Sequence, residues 1–365
     1  MARLWVWPMM LFLVALLPGA APALAPVQPP SPRIVAIGDL HGDHAAWRAI
    51  ARAARLIDKK GRWAGGKATL VQVGDIVDRA PDSLKIIRDL MRLEREAAAK
   101  GGTVFVLVGN HEAMMMTGDD RYIHPGEYAA FADRNSDRRR ADVYTANRAA
   151  IEAAYKVTEP RLVATEIRSR WIQATPLGML EYRAAWAPGG ELGRWTLGHR
   201  AVARVGDSLF VHGGISAAYA GLSIDEINRR VAVSLAAQDE SPTAIINDPM
   251  GPLWYRGLVT RSADAEVAKP AAPVPANPPV APPSRPTIEQ EIAEVLRAFG
   301  VKRIVIGHTP TLGGIVEGAG GRLWRIDSAN SSAYGGTPSY LEIIGDRVIA
   351  YKVPRPAAAG KGDRR

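Results

Sequence analysis

Five short stretches concentrate residues able to do chemistry: "GDLHGD" at 38–43, "GDIVDR" at 74–79, "GNHE" at 109–112, "VHGG" at 211–214 and "GHTP" at 307–310. They supply Asp39, His41, Asp75, Asn110, His212 and His308. Each follows an apolar run, with glycine beside it. Glycine lets a backbone turn sharply, so short side chains can converge from several directions. Six ligands of mixed oxygen and imidazole type suit two divalent metals sharing one carboxylate. Imidazole together with carboxylate favours manganese, iron or zinc over calcium or magnesium. Taken singly the stretches say little, since Gly-Asp also serves as a plain turn at 206–207 and 345–346. Their joint occurrence, each after a strand-sized run, is what points to a site.

The intervening elements explain how such residues could meet. "RIVAIGDL", "ATLVQVGDI" and "TVFVLVGN" read as strands, separated by amphipathic helices over 43–58 and 81–100. Asp43 is placed to cap the first helix. Strand-helix alternation predicts a layered α/β sheet, where ligands gather beyond the carboxyl ends of the strands. The stretch 113–200 reads as a mostly helical insertion without a chemical motif. "AVARVGDSLFVHGG" predicts a hairpin turning at Gly206-Asp207. A helix follows Ser223, with Glu226 in the capping-box position; another follows Thr287, with Gln290 in that position. Pro and Ala dominate 263–286, predicting an extended loop. The final strands turn at 345–346. One core domain over 33–353 with two insertions accounts for the pattern.

Composition narrows the function. The chain has 365 residues, a formal net charge of +9 and no cysteine. Disulfides, thiol catalysis and cysteine-held zinc are excluded. No basic stripe with interleaved aromatics marks a nucleic-acid surface. Residues 1–25 have a basic start, an apolar middle too short for a full span and a small-residue exit, the layout of a secretory signal. Residues 26–32 then form a tether and 354–365 a basic tail. The expected location is the periplasm, with an uncleaved anchor as the alternative and no stable membrane span after signal removal.

The ordered series of motifs resembles the calcineurin-like metallophosphoesterases, within them the phosphoprotein phosphatase branch, and more narrowly the bacterial Shewanella-like phosphatases. "TGDDRY", "GPLWYRG" and "AYGGTPSYLEI" carry the narrower likeness. The resemblance covers about 33–353 and implies an α/β fold with a layered β-sandwich core flanked by helices. It implies that Asp39, His41 and Asp75 hold one metal, and Asp75, Asn110, His212 and His308 the other. A hydroxide between the ions would attack phosphorus, with His111 as general acid oriented by Asp78. Arg79, Asn110 and Arg256 would bind the phosphoryl group. The implied substrate is a phosphoprotein, on Ser/Thr or Tyr, or a small phosphoester. The alternatives are a phosphodiesterase or dinucleoside-polyphosphate hydrolase on the same scaffold and, more remotely, a non-catalytic envelope binding protein.

Two positions depart from relatives. Ala80 stands where the phosphatase branch usually has glycine. Pro310 stands where many wider relatives place another histidine for the first metal. His44 is expected to be exposed at a helix start, and His124 and His199 lack ligand spacing. Met114–Met116 are expected to pack beside the site, Glu112 to support it, and Tyr334 to be a core tyrosine within reach of substrate.

Overall fold

The computed structural model describes residues 33–261 and 286–356. The proposed signal and tether lie outside the described residues, as do all but the last residue of the Pro-rich loop and most of the basic tail.

The strands assemble into two five-stranded sheets. In the first, β1 (Ile34–Ile37), β2 (Thr69–Gln72) and β3 (Thr103–Val106) run parallel. β9 (Ser339–Ile344) pairs antiparallel with β1, and β10 (Arg347–Lys352) closes that edge as a hairpin turned at Gly345-Asp346. In the second, β5 (Ser208–Val211), β6 (Arg303–Ile306) and β8 (Leu323–Arg325) run parallel. β4 (Val202–Val205) and β7 (Val316–Gly318) flank them antiparallel. The β4–β5 hairpin turns at Gly206-Asp207, as its sequence predicts.

Alternate residues of the central strands face opposite ways. Ile34, Ala36, Val71, Phe210, Val305 and Leu341 pack between the two sheets. Val35, Ile37, Leu70, Leu209 and Ile304 face the helices, in a second cluster with Trp47, Ile86, Leu90 and Ile292. Both faces are thus buried, which is why the strands read as continuous apolar runs.

Helix α1 (His44–Ala53) follows β1, with Asp43 Oδ1 accepting from the Ala46 amide at 2.9 Å. Helix α2 (Ser83–Ala98) follows β2. After β3 come α3 (Asn110–Thr117), α4 (Pro125–Ala129), α5 (Ser136–Thr158), α6 (Ala164–Ala174), α7 (Met179–Trp186) and α8 (Glu191–Leu197). The second half adds α9 (Ala217–Ala220), α10 (Ile224–Ala236) and α11 (Ile288–Phe299). Thr287 and Gln290 form a complete capping box on α11. On α10 only half of the expected box forms. Ser223 accepts from the Glu226 amide, but the Glu226 carboxylate turns to Arg229 and Arg230. Among the described residues no helix is long and apolar enough to cross a membrane.

Candidate metal centre

The six parallel strands β1, β2, β3, β5, β6 and β8 deliver Asp39, Asp75, Asn110, His212, His308 and Asp327 within a few residues of their carboxyl ends. All six residues are buried, with His41 and His111 beside them. Asp327 went unassigned in the sequence, although "GRLWRID" carries the same signal of an apolar run ending in an acid.

The backbone is bent to do this. Nine non-glycine residues have left-handed φ among the described residues, and five of them are His41, Asp75, Asp78, Arg79 and His308. Such conformations cost of order 1 to 3 kcal/mol each and persist only where the surroundings enforce them. Ala80 is not among the left-handed residues, so alanine fits where relatives carry glycine. Close approach fixes two glycines instead. A Cβ on Gly109 would stand 2.2 Å from Asp75 Oδ1, and one on Gly307 would stand 2.5 Å from Asp39 Oδ1. Glu112 holds the second loop from below: its carboxylate accepts from the amides of Asp75, Ile76 and Gly109 at 2.8–2.9 Å.

Two groups of side chains lie close enough to share an ion: His41, Asp75 and His111, and Asp75, His212 and His308. Asp75 belongs to both. Asp39 sits at the margin of the first, with Oδ2 3.9 Å from His41 Nε2, while its oxygens accept from the His308 amide at 3.1 and 3.2 Å.

The hydrogen bonds show what this arrangement fits. His41 Nδ1 lies 3.0 Å from the Val77 carbonyl and His212 Nδ1 2.9 Å from the Val73 carbonyl. A carbonyl only accepts, so both Nδ1 atoms carry the proton and a neutral ring presents a bare Nε2. His212 Nε2 faces Asp75 Oδ2 at 3.3 Å. His308 Nε2 is buried with no hydrogen-bond partner. Burial holds His41 down to about 3, and burial with His212 and Arg256 nearby holds His308 well below the ordinary imidazole value. Burial alone would raise Asp75, but His212 and His111 hold it well below the usual carboxylate range. Burial, Asp327 and Asp75 push Asp39 well up. Imidazole nitrogens and crowded carboxylates within reach of common points are the donor set of a divalent cation.

His111 is arranged differently. Its Nδ1 meets Asp78 Oδ2 at 2.5 Å, and its Nε2 points back into the site, 3.8 Å from Asp75 Oδ2. Burial would lower His111, but the charges of Asp75 and Asp78 win and raise it. Arg79 projects beside it. The guanidinium lies 3.8 Å from the Tyr122 ring centroid and 5.6 Å from that of Tyr334, and its Nε has no hydrogen-bond partner. Arg256 Nη1 donates to the His308 carbonyl at 2.6 Å and to Thr309 Oγ1 at 3.3 Å, so this arginine braces the bent His308 backbone. Asn110 Oδ1 is 2.9 Å from His212 Nε2.

The residue pattern, the fold and this donor set coincide with a match to the description "Calcineurin-like phosphoesterase" over residues 32–312. The chain belongs to the calcineurin-like phosphoesterase family. As a member it is a phosphoric ester hydrolase whose His/Asp clusters could hold metal ions. Its relatives include Shewanella-like protein phosphatase 2 of Arabidopsis thaliana, 30% identical and matched over 89% of this chain and 78% of that protein. An uncharacterized protein of Schizosaccharomyces pombe is 29% identical over 85% of this chain and 76% of its own length. Among solved structures, the cold-active protein-tyrosine phosphatase of a psychrophilic Shewanella shares the fold. Its TM-score is 0.59 at 22% identity, over 88% of this chain and 80% of that one.

Within this phosphoesterase the other histidines are structural. His44 is half-buried, not exposed as expected, because its Nε2 meets Asp89 Oδ2 at 3.1 Å. His199 pairs with Glu94, and His124 accepts from the Gly126 amide at the start of α4. Met114, Met115 and Met116 are packed in the core. Tyr334 is half-buried with its ring 5.1 Å from that of His41, nearer the site than a core tyrosine.

The helical stretch 113–200 turns out to reach the site. Tyr122 lies under Arg79, and Glu127, 3% exposed, accepts from the Asp78 amide at 3.1 Å and from the Ser83 hydroxyl. No pattern marked Glu127 in the sequence. Burial pushes it up to about 8, with the Asp78 charge adding and His111 opposing. The folded chain therefore keeps a proton that the unfolded chain has released, between about pH 4.5 and about pH 8. Stability contributed by that proton is lost as pH rises through this window. Glu127→Gln cannot ionise, so the thermal midpoint of the variant minus that of the wild type is expected to grow with pH across it. Thermal unfolding of both proteins checks this, and a pH-independent difference would contradict it.

Proposed function

We propose that this phosphoesterase is a metal-dependent phosphomonoesterase acting on phosphoproteins or related small phosphoesters. The supporting observation is the sharing of Asp75 between two donor clusters, with the His111–Asp78 pair and the Arg79 guanidinium beside them. In this reading Asp39, His41 and Asp75 hold one ion, and Asp75, Asn110, His212 and His308 hold the other, as manganese, iron or zinc. When bound, such ions supply Lewis-acid charge for the phosphoryl oxygens and a water activated near neutral pH.

The remaining roles fall to side chains. Arg79 binds phosphoryl oxygens through its planar fork, held flat by Tyr122. Arg256, bonded to the His308 carbonyl, is the second phosphoryl-binding arginine, and Asn110 supports both the phosphoryl group and the second cluster. His111 Nε2 donates a proton to the leaving oxygen. Asp78 keeps that imidazole charged and fixes its orientation through Nδ1. The names of the Arabidopsis and Shewanella relatives support a protein substrate.

Metal-loaded protein is expected to hydrolyse p-nitrophenyl phosphate and phosphopeptides, to lose turnover on chelation and to regain it on metal return. Bis-p-nitrophenyl phosphate is expected to turn over more slowly by at least about tenfold, a difference of about 1.4 kcal/mol in barrier. Faster diester cleavage would favour the phosphodiesterase reading instead. Export to the periplasm is proposed on the sequence of 1–25 alone. N-terminal sequencing of the envelope form should begin beyond that segment.

A further inference from the structure

Asp78 and Arg79 are consecutive residues with left-handed φ of 73° and 70°. Asp tolerates that conformation better than most side chains and Arg does not favour it, so the two in succession need outside support. The support comes from 119–131, which precedes the long helix α5. The Asp78 amide donates to Glu127 Oε1 at 3.1 Å, and the Arg79 amide donates to the Tyr122 carbonyl at 3.1 Å. Glu127 Oε1 also accepts from Ser83 at the start of α2, so one carboxyl oxygen ties both ends of the loop 78–83. Gly126 presses on the loop from the same side; a Cβ there would stand 2.5 Å from Pro81 Cβ.

The brace has hydrogen bonds of its own. His124 Nδ1 accepts from the Gly126 amide at 3.0 Å, Pro125 opens α4, and the Tyr128 hydroxyl donates to Asp120 Oδ2 at 3.0 Å. Glu127 lines a cavity of about 10 Å³ with Leu84, Ile87, Phe131, Tyr182 and Trp186. Its position near pH 8 means that glutamine reproduces the form present at neutral pH.

We propose that Glu127 is a positioning residue for the reaction: by holding the Asp78 backbone in its left-handed turn, it sets the Asp78 carboxylate against His111 Nδ1 and so aims Nε2 at the leaving oxygen. This rests on the general-acid reading of His111. It gives the helical stretch between β3 and β4 a direct part in turnover.

Leaving-group dependence distinguishes this role from support of the fold. p-Nitrophenolate leaves readily without protonation, whereas a serine alkoxide must be protonated as it leaves. On metal-loaded protein, Glu127→Ala is expected to lower kcat for a phosphoserine peptide by about 10- to 100-fold. KM and bound metal should change little, and p-nitrophenyl phosphate should lose only about threefold or less by the same reasoning. Glu127→Gln keeps the Oε1 acceptor and is expected to restore most of the lost kcat. Should Glu127→Ala accumulate poorly, Ser83→Ala removes one of Glu127's two donors and should show the same selectivity more weakly. Equal losses on both substrates, or unchanged kcat on the phosphopeptide, would overturn the proposal. His111→Asn serves as the control. If it too loses both substrates equally, the general-acid reading falls; if it is selective and Glu127→Ala is not, only the role of Glu127 falls.

Discussion

His111→Asn is expected to lower kcat for an alkyl phosphomonoester by about 10²- to 10⁴-fold, the range contributed by a positioned general acid. The imidazole is tied through Nδ1 to Asp78 at 2.5 Å and raised by the charges of Asp75 and Asp78. Asparagine can hydrogen-bond there but cannot deliver a proton near neutral pH. Metal content decides between two uses of this residue. His111 lies close enough to His41 and Asp75 to act as a ligand, yet one ring nitrogen is already committed to Asp78. The general-acid reading expects His111→Asn to keep its full metal content while losing turnover. Loss of an ion would make His111 a ligand, and retained turnover would remove the acid assignment.

Asp75→Asn should have the broadest effect. Asp75 is the one carboxylate common to both clusters, and its amide is held by Glu112. Removing its charge leaves each cluster short of an anionic donor while keeping the side-chain shape. The ions' share of barrier lowering is several kcal/mol, so turnover should fall by about 10³-fold or more. Metal affinity should fall with it. A variant that kept both ions and turned over within about tenfold of the wild type would show that Asp75 is not shared.

The strand ends were legible because both faces of each parallel strand are buried. Such strands read as unbroken apolar runs, and a Gly-Asp or Gly-Asn after one stands out. Asp39, Asp75 and Asn110 are legible that way, His212 and His308 as strand-end histidines next to glycine, and the structure brings all five together beyond the carboxyl ends of the parallel strands. Asp327 follows the short strand β8 directly, without the glycine that marks Asp39, Asp75 and Asn110, and so stands out less. Capping was legible where it is purely local, as at Thr287 and Asp43. It was half right at Ser223, where nearby arginines draw the Glu226 carboxylate away.

What the sequence could not show is contact between distant segments. Glu127 and Tyr122 lie in a stretch whose helices have no period tied to the core, yet their polar atoms meet Asp78 and Arg79 across 49 and 43 positions, as the numbering gives by subtraction. His44 was read as exposed because nothing local announces Asp89, a full helix away. In the sequence Arg256 reads as a second phosphoryl-binding arginine. Its bond to the His308 carbonyl, which bends the last strand end into place, was not legible there.

The proposed function requires Asp75 to join two metal positions in one centre. The most direct test is the number of divalent ions bound per chain, measured by elemental analysis after loading and removal of free metal. The account predicts two per chain for the wild type by its two clusters, and a clear loss for Asp75→Asn. A wild-type chain that binds only one divalent ion or none, or an Asp75→Asn chain that binds as much as the wild type, would contradict it.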